Sequence, residues 1–395
     1  MGGGGTFNAE FDLAAACCRP PGEPRDAAVR EASLTVDWLR FERVAARHRI
    51  EGLVQETLKQ ASIPPPPDVA LWLRRAAGEI AMSGLSLAAE TGRLQSALDG
   101  AGIRNLVLKG ATLDILAWGR IGLKRAWDID LLVLPEDAVR ARLVLEAMGY
   151  ELRDPADPSD DAFQTWVALS KECVFGHFQR DLVVELHWRV ADVATLLPDL
   201  SARSPAQSVR LSVSASLRTL APAELFAYLC VHGASHAWSR LKWLADLGAL
   251  LAGVDEAGRS ALYRRAGELR AGHCPAAALL LCETLFDLPL PAALASEIRA
   301  NSKARKLATL AIDALTHGGG EIEIADRPLF TDRILLSQFL FADGWRFHWS
   351  EWTRQGVSLN DRMRLRLPPW LAFLYGPIRA PLWLWRRIAR LVRRP

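Results

Sequence analysis

Apolar residues recur with helical spacing on either side of the chain's middle section, where they form short continuous runs instead. Residues 33–60 have the apolar spacing of one or two amphipathic helices. The prolines at 64–67 end that pattern, because proline lacks the N–H group that a helix interior needs. A long helix is predicted to follow and to end at Gly100, since glycine commonly terminates helices. Further helical periods cover 222–236, 238–252, 257–271, 275–286 and 291–315.

Short apolar runs in the middle section predict β-strands. The runs are 105–108, 128–134, 173–177 and 182–187. Helical patterns separate the first three runs. Strands and helices that alternate in this way predict a mixed α/β block of roughly 90 residues.

The changes of pattern divide the chain into five predicted segments. They are a flexible N-terminus (1–32), an N-terminal helical region (33–100), an α/β core (101–215), a C-terminal helical domain (216–317) and a Trp/Arg-rich extension (318–395). The glycine run at 318–320 is interpreted as a hinge at the last boundary.

The final residues, 377–395, combine six arginines with tryptophan and leucine and contain no acidic residue. Three hypotheses fit this pattern. The first is that the segment lies on an anionic membrane surface, the second that it binds an acidic partner, and the third that it packs on the protein with its arginines in water.

Composition excludes several classes of protein. Half of the 395 residues are apolar and 24% are charged, as in ordinary globular proteins. The net charge of +3 argues against a dedicated nucleic-acid binder. Six cysteines without a C-x-x-C pair indicate free thiols and not a zinc knuckle. With no secretory signal and no apolar stretch of ~18 residues, these features predict a cytoplasmic protein.

Two carboxylates open the second predicted strand, in the sequence Asp128-Ile129-Asp130. Because side chains alternate along a strand, Asp128 and Asp130 project from the same face. Such a pair is unfavourable without a cation between them. A hard divalent ion such as Mg²⁺ prefers carboxylate and phosphate oxygens. The pattern therefore predicts a metal site.

Glu185 lies inside the otherwise apolar strand 182–187, where an unpaired charge is unfavourable. If this strand neighbours the Asp128 strand, Glu185 completes a cage of three carboxylates. His187 shares the face of Glu185 and is predicted to orient it or to act as a base. The alternative is an edge strand with Glu185 in water.

A strand, a tight turn and a helix N-terminus meet at Lys109-Gly110. The free N–H groups of a helix N-terminus attract phosphate, and glycine lets a phosphate approach the main chain. Lys109 would add a positive charge, and Arg125 would clamp another phosphate oxygen.

His232 and His236 are four residues apart on a predicted helix, so they share a face. They are candidates for contact with substrate or for a metal pair that Asp246 joins. They also fit a core in which both are hydrogen-bonded to neighbours.

The order of these motifs resembles the uncharacterised bacterial nucleotidyltransferases of the polymerase-β-like superfamily. The resemblance rests on Lys-Gly before a helix, on Arg-x-x-Asp-x-Asp-Leu-Leu-Val from Arg125, and on Val-Glu-Leu-His-Trp from Val184. Residues 230–236 and 240–247 are similar to the family's helical region, so about 33–285 are covered. The resemblance implies an α+β fold, in which a polymerase-β-like core (a small mixed sheet with flanking helices) is embedded in a mostly helical protein.

The resemblance also implies an enzyme of the EC 2.7.7 class with an NTP donor and Mg²⁺ or Mn²⁺ as cofactor. By analogy, Asp128 and Asp130 are the first two metal ligands, Glu185 is the third acid and Gly110 is the phosphate-loop glycine. Five further residues are candidates for contact with the substrate or for support just behind it. They are His187, His232, His236, Lys242 and Asp246.

This chain departs from the wider superfamily at the phosphate loop, where Gly110-Ala111 replaces the usual Gly-Ser. Thr112 or Lys109 is the candidate replacement for the missing hydroxyl. The subfamily's association with modified-peptide gene clusters implies a peptide or small-molecule acceptor.

Two alternative functions remain open from the sequence. A metal-dependent glycosyltransferase also uses D-x-D to hold a metal on a sugar nucleotide. A non-catalytic peptide-binding module of the same fold would fit Ala111, whereas the intact Asp128, Asp130 and Glu185 argue against it.

Overall fold

The computed structural model describes residues 7–356. Five helices precede the sheet: α1 (Ala9–Cys17), α2 (Glu23–Ala32), α3 (Trp38–His48), α4 (Glu51–Gln60) and α5 (Pro67–Gly100). The two helices predicted within 33–60 and the long helix that ends at Gly100 are confirmed. Helix α3 begins where the Asp37 side chain accepts hydrogen bonds from the N–H groups of Leu39 and Arg40.

The N-terminal segment is folded from α1 onward, so the expectation of a flexible end over 1–32 is wrong for this part. Phe11, Leu13 and Cys17 of α1 are fully buried. Helix α1 is apolar on almost every side and shows little 3.6-residue periodicity. Its sequence therefore lacks the single apolar stripe by which the other helices were predicted.

Seven strands follow, interleaved with three helices. The strands are β1 (Asn105–Val107), β2 (Asp128–Val133), β3 (Glu151–Asp154), β4 (Glu172–His177), β5 (Leu182–His187), β6 (Ala206–Arg210) and β7 (Ser216–Leu220). The helices are α6 (Ala111–Trp118), α7 (Ala138–Ala147) and α8 (Asp160–Leu169). Strands β1, β2, β4 and β5 are the four that the sequence predicts. The sequence did not predict β3, β6 and β7; of these, β3 and β6 are edge strands with mostly exposed residues.

The strands form one mixed sheet in the order β3-β4-β5-β2-β1-β7-β6. Strand β2 is parallel to β5, and β1 is parallel to β7, whereas the other neighbours are antiparallel. The β2–β5 register places Asp130 beside Glu185 in the middle of the sheet. Glu185 is therefore not on an edge strand, and the alternative of a solvated edge is excluded.

Eight helices complete the described chain. They are α9 (Pro222–Ser235), α10 (Leu241–Ala252), α11 (Glu256–Glu268), α12 (Cys274–Phe286), α13 (Ala292–Ala300), α14 (Ser302–Thr316), α15 (Phe330–Ser337) and α16 (Trp345–Gly356). The single helix expected over 291–315 is two helices. Asn301 has an extended backbone between them, and its side chain accepts a hydrogen bond from the N–H of Ala304 to cap α14.

The glycine run 318–320 is not an exposed hinge. It packs against α1 and α3, and Gly320 is buried. This contact joins the C-terminal helices to the N-terminal ones.

Two hydrophobic cores lie on opposite faces of the sheet. Ile129, Leu131 and Val184 belong to the core between the sheet and α5, α7 and α8. Leu132, on the other face of β2, belongs to a core shared by the N-terminal and C-terminal helices. Asp128 and Asp130 alternate with Ile129 and therefore lie on this second face, where the helices leave a cavity.

Within residues 7–356, no helix is both long enough and apolar enough to cross a lipid bilayer. The segment 377–395, with its membrane and acidic-partner hypotheses, lies outside the described residues.

Candidate active site

A cavity of about 250 Å³ lies on the helical side of the sheet, between β2, β5, α6, α9 and α10. Of the twelve residues that the sequence assigns to the site, all except Thr112 line this cavity. The fold thus brings together residues that are as far apart in the chain as Lys109 and Asp246.

Three potential ligand side chains converge at the cavity wall. Single ligand atoms of Asp130, Glu185 and His187 all lie within 4.8 Å of one another. Asp130 is 2% exposed, whereas Asp128 at the start of β2 is about one-third exposed. Asp128 therefore extends the acidic surface towards the cavity opening.

His187 lies in the middle of the acidic side chains. Its Nε2 atom is 3.1 Å from Asp130 Oδ1 and 3.6 Å from Glu185 Oε2, and its Nδ1 atom is 2.9 Å from Glu172 Oε2. Burial alone would lower the pKa of His187. The hydrogen bond with Asp130 and the close carboxylates of Glu172 and Glu185 outweigh burial and raise that pKa to about 10. This environment favours the protonated form of His187, which holds the carboxylates in place.

The pKa values of the acidic side chains shift in different directions in this environment. Burial raises the pKa of Glu172, but His187 holds it at about 2. The hydrogen bond from His187 lowers the pKa of Glu185, but burial and the charges of Asp130 and Asp128 outweigh it and raise the pKa overall. A cation bound near Glu185 would oppose this shift and favour its charged form.

Lys109 supplies a second cation directly after β1. Its Nζ atom is 3.0 Å from Asp130 Oδ1 and 3.9 Å from Asp128 Oδ2. Burial acts to lower the pKa of Lys109, but the carboxylates raise it well above its ordinary value. The ammonium group partly neutralises a buried cluster that would otherwise be unstable.

Helix α6 begins at the cavity, after Gly110. Gly110 has φ 72° and ψ −131°, a conformation that essentially only glycine adopts. No side chain caps α6, so the first N–H groups of the helix have no intrahelical partner. Thr112 is buried, and its hydroxyl donates to the Lys109 carbonyl oxygen at 3.3 Å. The Thr112 hydroxyl is therefore engaged within the turn and does not face the cavity.

The opposite side of the cavity is cationic. Lys242 Nζ donates to the Arg125 carbonyl oxygen at 3.0 Å, and Arg125 forms an ion pair with Glu51 at 3.2 Å. Burial and the charge of Arg49 lower the pKa of Lys242 to about 7. Arg49, Arg125 and Lys242 line the same cavity as the acidic cluster.

Asp246 has a structural role in this arrangement. One of its oxygens accepts a hydrogen bond from Trp118 Nε1 at 2.8 Å and forms an ion pair with Lys124 at 2.9 Å. Lys124 also pairs with Asp114. This buried network ties α6 to α10.

His232 and His236 form an aromatic wall with Trp243. The two imidazole centroids are 4.8 Å apart, and His236 stacks on Trp243 at 5.0 Å. Burial and the charge of Lys109 lower the pKa of His232, which is therefore neutral. Among the described residues, the Asp, Glu, His and Cys group close enough to hold a metal does not include this pair. The metal-pair hypothesis for His232 and His236 thus has no structural support.

The sequence did not indicate at least four residues of the site: Arg49, Trp127, Glu172 and Trp243. Glu172 pairs with His187 across β4 and β5, and its position beside a predicted strand was a usable signal. Trp127 directly precedes Asp128 and is 57% exposed. Arg49 lies just beyond α3 and reaches the cavity only through tertiary packing, so no local pattern could have indicated it.

The donor set fits a hard divalent cation. Carboxylate oxygens of Asp130 and Glu185 lie close to one another, and Asp128 lies on the same strand face but outside the group of atoms within 4.8 Å of one another. Such oxygens suit Mg²⁺ or Mn²⁺ better than a soft metal, which prefers thiolates.

Comparison with known proteins supports a family assignment for most of the chain. A family model described as "Uncharacterised nucleotidyltransferase" matches residues 35–287. This range includes every residue assigned to the cavity above. A search of curated proteins gave no match.

Proposed function

We propose that this chain, which belongs to the uncharacterised nucleotidyltransferase family, transfers a nucleotidyl group from an NTP to a hydroxyl or phosphate of a peptide or small molecule. The observation that carries the proposal is the pairing of Asp130 with Glu185 across β2 and β5, in a cavity that also contains the N-terminus of α6. Paired acids on neighbouring strands beside a glycine turn support a polymerase-β-like core.

Asp128, Asp130 and Glu185 are the residues that would hold Mg²⁺ or Mn²⁺. A bound divalent cation supplies positive charge that offsets the charge on the α-phosphate and on the leaving pyrophosphate. His187 fixes the rotamers of Asp130 and Glu185 through the contacts described above. Glu172 in turn orients the other nitrogen of His187.

The NTP phosphates would lie between the acidic cluster and the cationic side of the cavity. Gly110 lets a phosphate reach the free N–H groups of α6, and Lys109 adds positive charge beside them. In this arrangement, backbone N–H groups and the Lys109 ammonium group bind the phosphate in place of the hydroxyl that Ala111 lacks.

The acceptor is placed at the aromatic wall formed by His232, His236 and Trp243. A neutral imidazole at His232 can accept a hydrogen bond from an acceptor hydroxyl. In the reaction, the acceptor oxygen bonds to the α-phosphorus, and the bond from that phosphorus to the bridging oxygen breaks. Pyrophosphate leaves with the electron pair of that bond, and the proton of an acceptor hydroxyl passes to solvent.

Transfer of label from α-³²P-labelled NTPs, with Mg²⁺ and a peptide and small-molecule extract, tests the proposal. Asp130→Asn should lower the rate at least ~100-fold, because metal electrostatics contribute several kcal/mol to such reactions. Asp161→Asn is the matched control, since Asp161 is exposed on α8 outside the cavity. Equal rates in wild type and Asp130→Asn would contradict the proposal, and NTP binding without any transfer would favour the non-catalytic module.

A further inference from the structure

Trp127 is an unusual part of the cavity wall. It is 57% exposed, whereas the other large apolar side chains that line the cavity within the described residues are buried or half-buried. An exposed indole leaves apolar area in contact with water, and an apolar or aromatic ligand surface would cover it.

Two guanidinium groups position the indole ring. The Cζ atoms of Arg49 and Arg125 lie 5.6 Å and 5.9 Å from the ring centroid of Trp127. The backbone supports this arrangement, because the Arg125 N–H donates to the Arg49 carbonyl oxygen at 3.4 Å. The ring is therefore held beside Asp128, one residue away in the chain.

The cations around Trp127 differ in their partners. Arg125 is paired with Glu51, and Lys124 is paired with Asp114 and Asp246. Within residues 7–356, by contrast, no carboxylate forms an ion pair with Arg49 or Lys242, although both line the cavity. Partly buried cations without a counter-charge favour an anionic ligand.

We propose that Trp127 stacks on the nucleobase of the donor NTP and that Arg49 and Lys242 bind its polyphosphate. This inference rests on the proposed function, since it assumes that the cavity binds an NTP. Trp127, the two cations and the acidic cluster all line this one cavity, which can therefore contact the base and the phosphates of the same NTP. Stacking uses the face of the base and not its edges, so all four NTPs bind.

Calorimetric titration with ATP and, separately, with inorganic tripolyphosphate tests this assignment. Trp127→Ala should weaken ATP binding about 5- to 100-fold, the range of one lost base–aromatic stack, and leave tripolyphosphate binding unchanged. Trp127→Phe should retain most of the ATP affinity. Arg49→Gln and Lys242→Met should weaken both ligands. Trp345→Ala is the matched control, because Trp345 is 74% exposed and lies outside this cavity.

The outcomes separate this inference from the proposed function. Wild type that binds neither ATP nor tripolyphosphate contradicts both. Wild type that binds ATP, with a Trp127→Ala variant of equal affinity, overturns the stacking role alone. A Trp127→Ala variant whose affinities for ATP and for tripolyphosphate fall equally also overturns the stacking role. A Trp127→Phe variant that binds ATP as weakly as Trp127→Ala overturns it as well. Melting temperatures of all variants identify any that do not fold.

Discussion

Lys109 Nζ lies 3.0 Å from Asp130 Oδ1, so the most buried carboxylate of the site has a cationic partner from the chain itself. The same oxygen is 3.1 Å from His187 Nε2. A divalent cation that binds Asp130 must therefore compete with an ammonium group and an imidazolium for one carboxylate.

Lys109→Met should raise the affinity of the nucleotide-free protein for Mn²⁺ at least ~10-fold. A unit charge about 4 Å away opposes a second cation by roughly 4 kcal/mol at an effective dielectric constant of 20. Electron paramagnetic resonance of free Mn²⁺ measures the affinity directly. Lys303→Met serves as the control, because Lys303 pairs with Asp343 far from the cavity. An unchanged or weaker Mn²⁺ affinity in Lys109→Met contradicts the competition.

Gly110→Ala should weaken NTP binding, whereas Thr112→Val should not. An added Cβ at Gly110 has open space around it, so the penalty is the strain of φ 72°, roughly 1–3 kcal/mol. The turn would relax and move the first N–H groups of α6. The Thr112 hydroxyl bonds within the turn, so its removal leaves the phosphate position intact. Calorimetry gives the NTP affinity of each variant. A larger loss of NTP affinity in Thr112→Val than in Gly110→Ala would contradict phosphate binding at the α6 N–H groups.

Polyphosphate binding should weaken as the pH rises above about 7. The pKa of Lys242 is lowered to about 7 by burial and by Arg49, so the free protein loses this charge above that pH. Lys109, Lys124 and Asp128 also face the group. Binding favours the charged form, and affinity therefore falls until the pH passes the higher pKa of the complex.

Lys242→Arg isolates this effect, because arginine stays charged over the whole range. Titrations with tripolyphosphate from pH 6 to 9 should give a flatter profile for the variant than for wild type. The ligand's own protonation is common to both proteins. Parallel profiles would exclude Lys242 as the titrating group.

Phe11→Ala should lower the free energy of unfolding by about 3–5 kcal/mol, as expected for a large buried aromatic residue. Phe11 is fully buried and contacts the rings of Phe7 and His48 at centroid distances of 5.3 Å and 5.6 Å. Leu34→Ala, at a site 82% exposed, should change stability by less than ~0.5 kcal/mol. Urea denaturation measures the free energy of unfolding of both variants. A change as small in Phe11→Ala as in Leu34→Ala would indicate that α1 is not part of the core.

The sequence predicted the central strands and the acids they carry because these strands are buried and apolar. Asp128, Asp130 and Glu185 stand out against such runs, and the β2–β5 pairing brings two of them together. The edge strands β3 and β6 lack this contrast. Their pairing comes from the sheet they join and not from their own residues.

The cationic side of the cavity was harder to predict. Arg49 and Trp127 are far apart in the chain and meet only because α3 packs near the start of β2. Thr112 was a reasonable candidate for phosphate binding, but a hydroxyl in the first turn of a helix has the Lys109 carbonyl as a nearer partner. The local sequence pattern does not determine which hydrogen-bond partner a polar side chain has in the folded protein.

The shared core of the outer helices has a consequence for synthesis on the ribosome. Helix α1 packs against α12, which begins 257 residues after α1 ends. At 5–20 residues per second, translation of that interval takes roughly 13–50 s. During this time the apolar surface of α1 has no partner from α12. The nascent chain therefore carries this part of the apolar surface of α1 uncovered until α12 has been synthesised.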